Sequence, residues 1–157
     1  MNRPLRITVV GGSRCDEATA SLAEQIGREI ARRGGVLVCG GLGGVMEAAS
    51  RGASEAGGLT VGVLPGEDAA SANPFVLLPI PTGMGEARNI INVRSGDAVI
   101  AVKGSYGTLS EIAVALGLGI PVVAVESWGE LGGVEQAADA TEAVEVAFRR
   151  SGEDSNE

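Results

Sequence analysis

The chain has 157 residues and a formal net charge of -8, with Lys103 as its single lysine. This length fits one domain with one sizeable core. The acidic balance and an aromatic content of 3% exclude the dense basic surface and stacking platforms of nucleic-acid binders, and the absence of histidine excludes a Ser-His-Asp triad and most zinc sites.

From the N-terminus, Arg3 and Arg6 lead directly into a short β-branched run at residues 7–10. Neither a signal peptide nor a membrane span has that pattern, so a soluble, cytoplasmic protein is expected. The turn Gly11-Gly12-Ser13 follows, then an alanine-rich segment of helical period at 18–33 and the strand Val36–Cys39. The turn Gly40-Gly41-Leu42-Gly43-Gly44 leads to a second helix at 45–56 and the strand Thr60–Leu64, completing a βαβαβ pattern. Cys15 and Cys39 are too far apart in sequence for a metal-binding spacing and read as reduced thiols, so no metal site is assigned.

The second half begins with a looser region at 67–73. A short strand is predicted at 75–78, a turn at Pro79, Pro81 and Gly83, and a helix at 86–94. The strand Ala98–Val102, a helix at 109–118 and the strand Val122–Val125 come next. Residues 128–133 read as a loop, and Thr141 is expected to cap a last helix at 142–150. The domain is therefore placed at 1–150, with 151–157 as a disordered acidic tail.

Strands apolar on both faces require helices on both sides of a mainly parallel sheet, a three-layer α/β/α fold. Such sheets bind ligands beyond the carboxyl ends of their strands, where the strand order reverses. The glycine turns at 11–13, 40–44 and 104–107 all fall at such ends. The stretch Gly104-Ser105-Tyr106-Gly107-Thr108 leads from a strand into a helix, where free N–H groups and the helix dipole favour a phosphate. Glu111 is expected about one turn inside that helix, facing the same crevice.

A nicotinamide-dinucleotide fingerprint fits poorly. Met46 stands where the third glycine belongs, and Cys39 rather than an acid ends the second strand. No G-K-[ST] follows any strand, so there is no P-loop either. The residues Gly104, Gly107, Thr108 and Glu111, with Gly40, Gly41, Gly44 and Met46 in the earlier turn, resemble the motifs of the Lonely Guy family of Rossmann-like proteins. The resemblance spans about residues 5 to 150. It implies that Arg88 and Glu111 are the catalytic pair and that Arg94 matches a second arginine of the family. The turns at the strand ends and the resemblance together give an expected ligand site of Gly11, Gly12, Ser13, Gly40, Gly41, Gly43, Gly44, Met46, Gly104, Ser105, Tyr106, Gly107 and Thr108.

Family members with the full motif cleave the N-glycosidic bond of nucleoside 5′-monophosphates. Here Lys103 replaces a proline of that motif, Ser105 a glycine, Asn89 a lysine, and Gly85-Glu86 a Met-His pair. These departures resemble a shorter branch related to molybdenum-cofactor carriers. Two readings follow from the resemblance: a phosphoribohydrolase acting on a nucleoside monophosphate, or a non-catalytic carrier of a phosphorylated pterin cofactor. Neither needs a resident cofactor. A homodimer is also expected, through apolar outer faces of the helices at 45–56 and 109–118.

Overall fold

The computed structural model describes residues 3–153. Its seven strands are β1 (Arg6–Gly11), β2 (Val36–Cys39), β3 (Thr60–Leu64), β4 (Leu78–Pro81), β5 (Ala98–Val102), β6 (Val122–Val125) and β7 (Val134–Gln136). All pair in parallel, in the order β4-β3-β2-β1-β5-β6-β7. The order reverses between β1 and β5, which are in register from Ile7 opposite Ala98 to Gly11 opposite Val102. That reversal opens a crevice at their carboxyl ends.

Alternation along the strands splits the core into two layers. Ile7, Val9, Leu37 and Ile100 pack beneath α1 (Glu17–Arg32), α2 (Val45–Glu55) and α5 (Ala140–Glu153). Val10, Val99, Ala101 and Val122 face α3 (Arg88–Arg94) and α4 (Tyr106–Gly117), which contribute Val93, Ile112 and Ala115. The Rossmann-like three-layer arrangement expected from the strand pattern is the observed one. The helices α1 and α2 touch backbone to backbone. A Cβ on Gly27 would fall 1.9 Å from the Ala49 carbonyl oxygen, and one on Gly52 1.9 Å from that of Glu24. Only glycine permits so close a crossing.

Several boundaries differ from the sequence reading. The fourth strand is Leu78–Pro81, not residues 75–78. It lies at the sheet edge and pairs only with β3, so prolines that cannot donate to a ladder are tolerated there. The edge strand β7 was not anticipated within the stretch after the 128–133 loop. Helix α4 starts at Tyr106, three residues earlier than expected, which puts Gly107 and Thr108 inside its first turn. Asp139, not Thr141, caps α5: its Oδ1 accepts from the Glu142 N–H at 2.9 Å. Ser151 is buried within α5, and its hydroxyl donates to the Ala147 carbonyl, so the expected tail does not begin there. Residues 154–157 of that tail lie outside the described residues.

The expected apolar outer face of α2 is not present, because α2 is largely buried against α1 and the sheet. Large apolar side chains are exposed elsewhere, at Leu77, Leu78, Ile80, Met84, Ile90 and Ile91.

Candidate functional site

A cavity of about 350 Å³ lies where the strand order reverses. Its floor is Val9 and Val10 of β1 with the Gly11-Gly12-Ser13 turn. Gly40, Leu42 and Met46 form one wall, and Arg88, Asn89 and Asn92 of α3 another. Ser105, just before α4, and Gly107, Thr108 and Glu111 of α4 close it. Pro65 and Glu86 complete the rim.

The helix termini here are unequal. Helix α1 is capped by its own Asp16, whose Oδ1 accepts from the Thr19 N–H at 2.8 Å. The first N–H of α2, at Val45, donates to the Gly12 carbonyl at 3.0 Å. Helix α4 has no side-chain cap from Ser105, and its first backbone bond is Leu109 N–H to the Ser105 carbonyl at 3.0 Å. The N–H groups of Tyr106, Gly107 and Thr108 precede that bond and have no intrahelical acceptor. No heavy atom lies within 4 Å of where a Cβ on Gly107 would sit, whereas one on Gly104, at φ 98, would fall 2.0 Å from Thr108 Oγ1. Gly104 thus holds the threonine tightly while Gly107 leaves open space at the helix end. Oriented N–H groups beside open space form an anion site.

Two charged side chains are buried in this cavity. Arg88 is 9% exposed and Glu111 8% exposed. Burial pushes the Glu111 carboxyl up to about 7, against the opposing pull of the Arg88 charge and a hydrogen bond from Asn92. Burial also lowers the Arg88 guanidinium from its ordinary value, offset in part by Glu111, then Cys39 and Glu86. The pair attract across the cavity without a direct ion pair among the described residues. Arg88 Nη1 donates to Asn89 Oδ1, while the buried Arg88 Nε and Asn92 Oδ1 have no hydrogen-bond partner. Unpaired buried groups of this kind cost stability and are characteristic of sites built for a ligand.

Ten residues singled out from the sequence are brought together on the cavity wall: Gly11, Gly12, Ser13, Gly40, Met46, Arg88, Ser105, Gly107, Thr108 and Glu111. Gly41, Gly43 and Gly44 shape the neighbouring turn without lining the cavity. Gly104 lines an adjoining chamber instead. Arg94 is exposed and does not reach the cavity, since it lies six residues after Arg88 and so on a different face of α3. Tyr106 is 81% exposed, its ring centroid 6.3 Å from that of Trp128, outside the cavity. Sequence reasoning missed Asn92, which is 1% exposed. Its spacing of four from Arg88, which places both on one helix face, was the available signal.

The model of the SLOG cluster4 family matches residues 4–153. The chain belongs to that family. Among solved structures, the molybdenum cofactor binding protein of the phototrophic bacterium Rippkaea orientalis is 37% identical, with TM-score 0.88, over 94% of this chain and 97% of that one. The Moco carrier protein of Chlamydomonas reinhardtii is 36% identical, with TM-score 0.88, over 96% of this chain and 99% of that one. The cytokinin riboside 5′-monophosphate phosphoribohydrolase of Mycobacterium tuberculosis is 38% identical over 125 residues, covering 72% of this chain and 65% of that protein. The matched residues 4–153 include the glycine turns and the buried Arg88 and Glu111 that line the cavity.

Proposed function

We propose that this cavity binds a phosphorylated small molecule and that the chain is a carrier for a phosphorylated pterin of the molybdenum-cofactor type, held as cargo. The observation carrying the proposal is the uncapped α4 N-terminus, which opens into the cavity that also holds Arg88. The N–H groups of Gly107 and Thr108 receive the phosphoryl oxygens, and the buried guanidinium adds the one full positive charge in the cavity lining. The cavity volume falls within the range of about 300–1,000 Å³ typical of small-molecule sites. Likeness to the two cofactor-binding proteins runs along nearly the whole of both chains, which favours the carrier reading over the hydrolase.

One observation favours hydrolysis as a second reading. A carboxyl pushed up to about 7 and held apart from its arginine is poised to exchange a proton near neutral pH. On a nucleoside monophosphate, the C1′–N bond would break as the oxygen of water bonds to C1′. Glu111 would stabilise the oxocarbenium-like charge and take one water proton, and the departing base would take up a proton in turn.

Mass spectrometry of ligands released from purified protein separates the readings, followed by incubation with AMP. A co-purified pterin and no free adenine supports the carrier. Adenine release that falls at least about a hundredfold in Glu111→Gln supports the hydrolase. A crystal grown in sulfate is expected to hold the anion about 2.7–3.2 Å from the Gly107 or Thr108 nitrogen. Sulfate absent from that position, with no phosphorylated compound bound, would remove both readings.

A further inference from the structure

A second chamber, of about 310 Å³, adjoins the first. The two share Gly12 and Ser105, so the β1 turn and the start of α4 form a neck between them. Arg14, Asp16 and Thr19 line the new chamber from the side of α1, and Lys103 and Gly104 line it from the turn after β5. Lys103 has φ 43. The proline of the Lonely Guy motif cannot adopt that value, so this turn takes a course of its own and carries the only lysine of the chain to the chamber. Lys103 Nζ lies 3.5 Å from Glu126 and 3.9 Å from Asp16. Arg14 is exposed and has no ion-pair partner among the described residues. The lining thus carries two cations, Arg14 and Lys103, against one carboxylate, Asp16; Lys103 is shared with Asp16 and Glu126, and Arg14 is the cation left to meet a ligand anion.

We propose that the two chambers together hold a two-part ligand joined by a pyrophosphate, with a nucleotide half between Arg14 and Lys103. The proposal rests on the phosphoryl site argued above and extends it through the neck. Each chamber is near the lower limit of about 300 Å³ for a small-molecule site, enough for one nucleotide-sized body but not two. The linking group must cross at Gly12 and Ser105, beside the unpaired N–H groups of α4, and a pyrophosphate supplies the anionic oxygens those groups lack. Beyond the neck, Arg14 and Lys103 complement the remaining negative charge. Asp16, whose Oδ1 caps α1, offers Oδ2 as an acceptor for ribose hydroxyls. Recognition comes from this cation pair and the neck, since the nicotinamide fingerprint is absent.

Calorimetric titration of the full chain with AMP and with diadenosine pyrophosphate tests this, using wild type, Lys103→Gln and Arg14→Ala. In wild type the two-part ligand should bind at least about tenfold tighter than AMP. In Lys103→Gln that ratio should fall to within about twofold of one, and Arg14→Ala, on an exposed loop, should reduce it in the same direction. AMP binding with no advantage for the two-part ligand, or an advantage that survives in both variants, would overturn the proposal and leave the phosphoryl site standing. If neither nucleotide binds, the proposal falls, and the co-purification and sulfate experiments decide the first cavity independently.

Discussion

Replacing Glu111 by glutamine should make the protein more stable at pH 8 and leave it nearly unchanged in acid. In the unfolded chain the carboxyl titrates near 4.5, and in the fold its value rises to about 7 because burial outweighs the attraction of Arg88 and the Asn92 hydrogen bond. Between those values the native state holds the proton and the unfolded state does not. Stability conferred by this group is therefore complete below about 4.5 and lost as pH rises through about 7. At about 1.4 kcal/mol per pH unit, the swing is about 3 kcal/mol. Glutamine has the shape of the protonated acid and no charge to bury. The variant should match wild type near pH 4.5 and exceed it above pH 7 by about 3 kcal/mol, or about 6–12 °C in Tm. Urea denaturation of both proteins across this range measures the difference, in which all other titrating groups cancel. A gap equal at both ends would show that the attraction of Arg88 cancels the effect of burial. A variant that loses stability relative to wild type as pH rises would show that the attraction outweighs burial and that the site holds a stabilising ion pair. Either result refutes the reasoning.

Gly107→Ala adds a methyl where no atom lies within 4 Å, so Tm should not fall, while affinity for a phosphorylated ligand should drop about tenfold by calorimetry. Asp97→Asn should cost about 1–3 kcal/mol at neutral pH, because Asp97 accepts from both Arg3 Nη atoms at 2.7 and 2.8 Å and from the Arg6 N–H at 2.8 Å. Burial pushes that carboxyl up, but the Arg3 and Arg6 hydrogen bonds outweigh it and hold it well below the ordinary 3.8. In denaturation curves the cost should therefore begin to shrink as pH falls below 3.8 and disappear only once pH has dropped through the much lower value of the folded state. The exposed large apolar side chains at Leu77, Leu78, Ile80, Met84, Ile90 and Ile91 lead us to propose a homodimer. Light scattering should return at least twice the 15.7 kDa chain mass, and a monomer at micromolar concentration would refute this.

Much of this architecture was legible because buried parallel strands have a plain signature. Val36–Cys39 and Ala98–Val102 are unbroken apolar runs with turns at both ends, and their observed limits match the expected ones. The edges were less legible. β4 carries Pro79 and Pro81, which read as turn residues until their position beside β3 alone is known. β7 is three residues long with a polar end, so periodicity has almost nothing to act on. Gly107 read as loop because glycine is a poor helix former, yet in the first turn its N–H has no helical partner to lose. The site was legible where chemistry and spacing coincided, as at Thr108 and Glu111. It was not at Arg94, where a family match could not show which way the side chain points. Asn92 escaped notice because one amide between Ile91 and Val93 looks like an ordinary polar position on a helix.

The backbone contact between α1 and α2 divides the labour of the cavity. With Gly27 against Ala49 and Gly52 against Glu24, neither helix can slide without the other, so the turns that precede them behave as one rigid plate. The facing wall is built differently. Pro65, Glu86 and Arg88 come from a stretch that contains only an edge strand and single 3₁₀ turns before α3 begins. Substitutions there alter the shape presented to a ligand without disturbing the plate. Under the carrier proposal, one cargo can therefore be exchanged for another by redrawing residues 65–87, with Arg88 and the Gly107–Thr108 anion seat inherited intact.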